Sequence, residues 1–354
     1  MTGAGERRLL LLSMYPLDTG TASGPTVRIT HLRDQLARRV RLEVVSGARW
    51  SRGWALIGYV AQSRLRGLSG VYVESSTALP GPIDLLVVAL ARLRRIPVLT
   101  YIRDAYQLFP EYYVADSWKR RISRAAFRPS IWLLARASTN VAFPSCGLAN
   151  AVLRSRVPSP ILLPPGSPRV DAPPVDPAAR TLLYVGGLAH EAQGGTLLLK
   201  AVEIARSAGA DIELICVTPS SDVPAGRHPS WLRYVKASGS EILDLLPEVL
   251  ATVTPRRATP YNHLAVPIKV LEYLGYARPL IVTDCEETAA IVRGAGCGVV
   301  VPDTAAGLAA GISEVVSATP NQITDWGEAA RRAALANSWD VRADRILELL
   351  GVKP

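Results

Sequence analysis

The chain alternates short apolar runs with stretches in which apolar residues recur every three or four positions, and this alternation continues from end to end. Leu9–Met14 is a compact apolar run that reads as a first buried strand. It leads into Tyr15–Pro25, a loop carrying Gly20 and Gly24. A helix is predicted from about Thr26 to Arg39, with Val27, Leu32 and Leu36 among its apolar positions, and a second strand ends at Ser46-Gly47. Further strands are predicted at Gly70–Val73 and Pro97–Ile102, separated by an apolar helix from Ile83 to Leu93. Asn140–Pro144 is predicted as the last strand of this half, with a helix over Cys146–Leu153 behind it. Prolines then crowd the stretch from Pro158 to Pro177, the mark of a linker or hinge.

The second half repeats the theme without repeating the sequence. Thr181–Leu188 is a strand running into Gly186-Gly187, Thr196–Ala208 a helix and Ile212–Val217 the next strand. Trp231–Tyr234, Glu241–Leu246 and Ala251–Val253 continue the alternation. Glu286 opens another helix, a strand lies within 298–302, and helices follow from about Ala305 to Val316 and up to Leu350. Strand, glycine loop, helix, strand is a Rossmann-type opening, although the first loop lacks GxGxxG spacing.

Residues 260–284 hold the densest chemistry. The pattern predicts a polar loop, a helix opening near Pro267, a turn at Arg278-Pro279 and a short strand. Ile268, Leu271 and Leu274 stripe one face of the helix, while Lys269, Glu272 and Tyr273 share another. Unpaired N–H groups at a helix start suit a phosphate. Lys269 adds a mobile cation, and Glu272 offers two acceptor oxygens to a diol such as a ribose. An ordinary amphipathic helix with a Lys–Glu surface pair fits the same spacing.

The string Pro267-x-Lys269-x-x-Glu272-Tyr273, followed by Gly275, Arg278-Pro279 and an apolar strand, resembles the donor-binding segment of family 4 glycosyltransferases, in particular the bacterial subset with a P-x-K-x-x-E-Y pattern. The resemblance is strong over 260–318 and loose over 1–170. It implies the GT-B architecture, an α/β fold of two Rossmann-like domains with parallel sheets facing a central cleft. The expected layout is an acceptor domain over 1–163, a proline-rich linker over 164–178, a nucleotide-sugar domain over 179–335, and a last helix over 336–354 packing back on the first domain. It further implies a retaining transfer in which the departing phosphate helps to deprotonate the attacking hydroxyl. No protein nucleophile is then needed. Donor contacts are expected from Gly20, Gly24, Gly186, Gly187, Asn262, His263, Lys269, Glu272 and Tyr273. Asp104, beyond the Pro97–Ile102 strand, is the candidate reaching donor or acceptor, with a helix N-cap as its plainer reading. The sequence departs from the family in three places. Leu264 stands where a second glutamate is usual, and Gly187 and Gln193 stand nearest the usual diphosphate cations. Lys269 then carries more of the load, with Arg256 or Arg257 from the loop after Val253. A non-catalytic partner that binds a nucleotide-sugar, and a GT-B enzyme that couples or epimerises sugar-like substrates, are the rival functions.

Composition narrows the rest. The chain has 354 residues, 49% hydrophobic and 20% charged, enough for two globular α/β domains. Its four cysteines show no metal-ligand spacing and read as free thiols of a reducing compartment. There is no Asp-x-Asp pair, so no metal and no cofactor beyond the nucleotide-diphosphate sugar is expected. Arg7-Arg8 ahead of Leu9–Leu12 imitates a signal peptide, but the apolar core is too short, and no run reaches the ~18 apolar residues of a membrane span. A cytoplasmic protein is expected. Charge is uneven: residues 1–170 hold 24 Lys/Arg against 9 Asp/Glu, a net +15, whereas 171–354 hold 16 against 21, a net −5. No nucleic-acid-binding pattern accompanies the excess. Trp118–Arg128 mixes cations with large apolar groups and reads either as a helix lying on an anionic membrane, on the inner face of the cell membrane, or as a packed helix with solvated arginines. The acceptor is expected to be a hydroxyl, on a lipid-linked glycan or a small secondary metabolite.

Overall fold

The computed structural model describes residues 7–17, 24–153 and 160–352. The chain forms two compact units, one made of residues 1–166 together with 339–354, the other of residues 167–338.

The first unit is built on β1 (Arg8–Ser13), β2 (Arg41–Val45), β3 (Leu68–Glu74), β4 (Val98–Tyr101), β5 (Asn140–Phe143) and β6 (Ile161–Leu162). They form one parallel sheet in the order β2-β1-β3-β4-β5-β6. Leu9–Leu12 are fully buried between β2 and β3. A parallel strand is covered on both faces, which explains an unbroken apolar run rather than an alternating one. The connecting helices are α1 (Gly24–Ala37), α2 (Arg49–Ala61), α3 (Pro82–Leu93), α4 (Trp118–Ala137) and α5 (Cys146–Leu153). The chain steps from β1 to β2 in one direction and from β2 onward in the other. Right-handed crossovers therefore put α1 on one face and α2, α3 and α4, side by side, on the opposite one. The α1 face is completed by α13 (Trp339–Leu349), whose Trp339, Ala343, Ile346 and Leu347 pack among Leu9, Leu11, Leu32, Tyr72 and Leu99.

The second unit has the sheet order β12-β11-β10-β7-β8-β9, again all parallel. Its strands are β7 (Thr181–Val185), β8 (Glu213–Val217), β9 (Leu232–Val235), β10 (Val249–Thr254), β11 (Leu280–Thr283) and β12 (Gly298–Val301). The helices are α6 (Gly195–Ser207), α7 (Ser240–Leu243), α8 (Pro260–Leu264), α9 (Ile268–Gly275), α10 (Glu286–Ala295), α11 (Ala305–Ser317) and α12 (Pro320–Ala336). Two apolar clusters sandwich the sheet, one with α6 and α11, the other with α9, α10 and α12. Arg278, fully buried, ties this second layer together by donating to the carbonyls of Val249 (2.8 Å), Pro173 (2.8 Å) and Leu246 (2.7 Å).

Four elements differ from the sequence pattern, the first being Pro260–Leu264, which is helix α8 where a polar loop is predicted, its N-terminus capped by the Thr259 side chain. Asn140–Phe143 is not the last strand of its sheet, because Ile161–Leu162 adds a short edge strand beyond it. Helices α2 and α12 were not predicted. In α2 the cause is visible: Leu56 and Tyr59 face the core while Trp50, Trp54 and Ile57 face solvent, so apolar residues on both sides blur the helical period.

Candidate functional site

The site is assembled where β7 and β10 end, at the carboxyl edge of the second sheet, the usual place for a ligand in parallel α/β units. Strand β7 runs into Gly186, whose φ of +153° is a conformation side chains rarely adopt. A Cβ there would collide with Nζ of Lys269, so the lysine crosses directly over the glycine backbone. The loop is fixed by four further hydrogen bonds. Tyr184 donates its hydroxyl to Gly187 O (2.8 Å). Asp222 Oδ2 accepts from the N–H groups of Leu188 (2.8 Å) and Ala189 (3.3 Å). Val185 N–H donates to the hydroxyl of Tyr273 (2.7 Å). Gly194, at φ +78°, opens α6 against the carbonyl of Pro255, again with no room for a Cβ.

Helix α9 supplies the charged groups. Neither Pro267 ahead of it nor Gly194 ahead of α6 caps its helix with a side chain. Burial pulls Lys269 down to about 8, helped by the nearby Arg256 and opposed by Glu272. Its ammonium lies 5.6 Å from the Tyr184 ring centre. Burial likewise raises Glu272 above the usual carboxylate range, with Lys269 opposing. Half-buried, oppositely charged groups of this kind favour a ligand that brings an anion to the lysine and hydroxyls to the carboxylate.

The structure sorts the predicted residues. Gly186, Gly187, Lys269, Glu272 and Arg256 come together. Tyr273 shares the helix but is buried, and it holds the end of β7 from beneath. Asn262, fully buried, is a bracket: its amide donates to the carbonyls of Ala192 (3.1 Å) and Arg257 (2.8 Å) and its oxygen accepts from Arg256. His263 is half-buried and accepts from Glu286 N–H (3.3 Å). Arg257 turns toward Asp303, with Nε 3.3 Å from the carboxylate. Leu264 is the last residue of α8. Sequence reasoning missed Tyr184 and Asp222. The first looks like any strand residue, and the second sits outside every motif.

In the first unit, Gly24 is the exposed first residue of α1, and Gly20 lies outside the described residues. Asp104 follows the end of β4 and is nearly buried, its carboxylate bound by Arg103 Nε. It caps no helix, since Ala105 precedes the short turn at 106–108. Arg103 also donates to the Tyr15 hydroxyl (2.7 Å) and lies over that ring. Nearby, Arg28 is fully buried against Glu74 (2.8 Å), a pair that no sequence signal announced. Among the described residues, no group of three His, Cys, Asp or Glu could hold a metal ion, and no helix is long and apolar enough to cross a membrane.

Two parallel six-stranded sheets with helices on both faces define the GT-B fold, and solved structures share it over nearly the whole chain. A sucrose-phosphate synthase from Thermosynechococcus elongatus aligns at TM-score 0.69 and 14% identity, covering 97% of this chain and 98% of its own. A glycosyltransferase from Rickettsia africae aligns at 0.67 and 14%, covering 98% of each chain. Anabaena HepE, solved in complex with UDP-glucose, aligns at 0.66 and 15%, covering 97% and 99%. No curated protein sequence matches. Residues 179–318 match the family model Glycosyl transferases group 1, which spans β7 to α11 and includes every residue of the site around Lys269. The match to a glycosyl transferase model marks the chain as a transferase.

Proposed function

We propose that the protein transfers a sugar, with retention and without a metal ion, from a nucleotide-diphosphate sugar to a hydroxyl acceptor. The observation that carries this reading is Lys269, held over the Gly186 backbone with Arg256 beside it. A diphosphate laid along Gly186-Gly187 meets a backbone with no side chains in the way, two cations and the start of α9. Charge that grows on the leaving diphosphate is offset there without an ion. The bond from the anomeric carbon to the diphosphate oxygen breaks. The acceptor oxygen bonds to that carbon on the same face, and its proton passes to the departing phosphate. Glu272 accepts hydrogen bonds from the ribose hydroxyls.

HepE is solved with UDP and with UDP-glucose, and a Burkholderia xenovorans trehalose-phosphate synthase is described as UDP-forming. A uridine nucleotide is therefore the first donor to try. Asp104 is assigned to acceptor or donor contact. The acceptor hydroxyl belongs to a lipid-linked glycan or a small metabolite. All four cysteines are free thiols, in keeping with work in the cytoplasm.

The test is hydrolysis or transfer with a panel of nucleotide-sugars after exhaustive EDTA treatment, with the product anomer read by NMR. Turnover in EDTA that yields the donor's own anomeric configuration is expected. Recovery only upon adding Mg²⁺ or Mn²⁺ overturns the metal-free part, and an inverted anomer overturns retention. Tight donor binding with no turnover on any acceptor points to a non-catalytic partner.

A further inference from the structure

Helices of a folded unit normally turn apolar residues inward and polar ones outward. The three helices on one face of the first sheet break that rule in the same way. In α4, Phe127, Ile131 and Leu134 face the core, yet Trp118, Ile122 and Trp132 recur at helical spacing on the opposite side and are 56–68% exposed. Helix α2 repeats this with Trp50, Trp54 and Ile57. Helix α3, between them, adds Leu86 and Leu93, 66% and 81% exposed. Because all three pack on one sheet face in the order α2, α3, α4, their outward stripes point the same way and form one surface. Of the chain's seven tryptophans, the four that are at least 60% exposed all lie on it.

Charge selects the occupant. The three helices contain a single carboxylate, Asp84, and it is buried against Arg52 (2.6 Å). Around the stripes stand the exposed cations Arg49, Arg92, Lys119, Arg121, Arg124 and Arg136. Asp116, just ahead of α4, is taken up by Arg120 (3.3 Å). A second copy of this surface would bring like charges together. Indole rings ringed by arginine and lysine match the headgroup level of an anionic bilayer, where the rings sit between acyl chains and water. On one flank of the α4 stripe, a cavity of about 300 Å³ opens between Leu108, Arg124, Ala125 and Arg128, two arginines one helical turn apart, of which Arg128 also donates to Val152 O (2.7 Å). That spacing suits a phosphate-bearing headgroup.

We propose that the α2–α3–α4 face docks on the surface of an anionic phospholipid membrane, all three helices contributing. The inference does not depend on the transfer reaction. It is tested on the full chain with vesicles of phosphatidylcholine alone and of phosphatidylcholine with phosphatidylglycerol. Binding is read by co-sedimentation and by quenching of tryptophan fluorescence with bromine-labelled acyl chains. The wild type should pellet only with the phosphatidylglycerol vesicles, be quenched there, and be released by salt. Trp50→Ser with Trp54→Ser, on α2 alone, should weaken partition by on the order of tenfold or more with an unchanged thermal melt. Lys119→Gln with Arg121→Gln and Arg124→Gln, on α4 alone, should do the same. Wild-type binding by either variant overturns the three-helix surface. Absence of wild-type binding to both vesicle types, or a dimer in solution whose interface protects Trp50 and Trp118, overturns the membrane as its partner.

Discussion

Lys269 is a cation held where burial works against its charge, and this gives its titration two opposite consequences. Its folded value of about 8 lies below the unfolded 10.5, so between these values the unfolded chain binds more protons. Stability lost to the buried charge below pH ~8 is therefore recovered as pH rises toward 10.5. Lys269→Met should raise the melting temperature at pH 7 by a few degrees while turnover collapses; a lower melting temperature would contradict the buried-charge account. Donor affinity should fall as pH climbs through 8 in the wild type and lose that dependence in Lys269→Met, as titration calorimetry would show. Glu272→Gln should leave the fold intact and weaken nucleotide-sugar binding roughly tenfold to hundredfold, the value of a charged hydrogen bond of ~1.5–3 kcal/mol. Unchanged affinity would remove the ribose contact. Lys269 and Glu272 were legible because their chemistry is local: one helix turn fixes their spacing. Tyr184 and Asp222 were not, because Tyr184 meets Lys269 from far along the chain and Asp222 meets the N–H groups of Leu188 and Ala189, also distant in sequence.

At the scale of elements, α9 does more than present charges. Its Tyr273 hydroxyl accepts from Val185 N–H, and Leu271 O accepts from the Ser167 hydroxyl (2.6 Å), so the helix is pinned on both sides. Tyr273→Phe leaves a buried N–H without its acceptor and should cost ~1–3 kcal/mol in urea unfolding. It should also raise KM for the donor, since the Gly186 turn loses its support. A variant with wild-type stability and KM would reduce that hydroxyl to a bystander. The strand–helix alternation was readable over most of the chain because buried parallel strands need continuous apolar runs. It failed at α2, whose tryptophans face outward, and at β6, too short at two residues to leave a period. Asn262 and Arg257 illustrate a different limit. Both lie in the segment that the sequence singles out, but whether a polar side chain faces a ligand or braces a loop is decided by distant partners, here Ala192 and Asp303.

For the whole molecule, the second unit is a single continuous stretch, 167–338, set within a first unit that resumes at Trp339. Residues 167–338 expressed alone should fold cooperatively and bind the donor nucleotide, because β7, α6 and α9 all lie within it. A chain ending at Ser338 should keep that binding but lose the cooperative melt of the first unit, whose cluster is deprived of Trp339, Ile346 and Leu347. Two full transitions in calorimetry of the shortened chain would show α13 to be dispensable. The charge division seen in the sequence follows the same architecture. The positive excess belongs to the half that carries α2–α4, and the half around Lys269 is net negative.

The late return of α13 also orders events on the ribosome. The leucines of β1 and the rings of Tyr72 and Tyr101 are made early, but the helix that covers them is encoded beyond 172 intervening residues. At bacterial and eukaryotic elongation rates of about 5–20 residues per second, that sheet face waits on the order of 10–30 s for its cover. The part of the protein begun second can thus finish folding first. Over that interval the earliest-made half has α1 on its sheet face but lacks Trp339, Ile346 and Leu347 beside it.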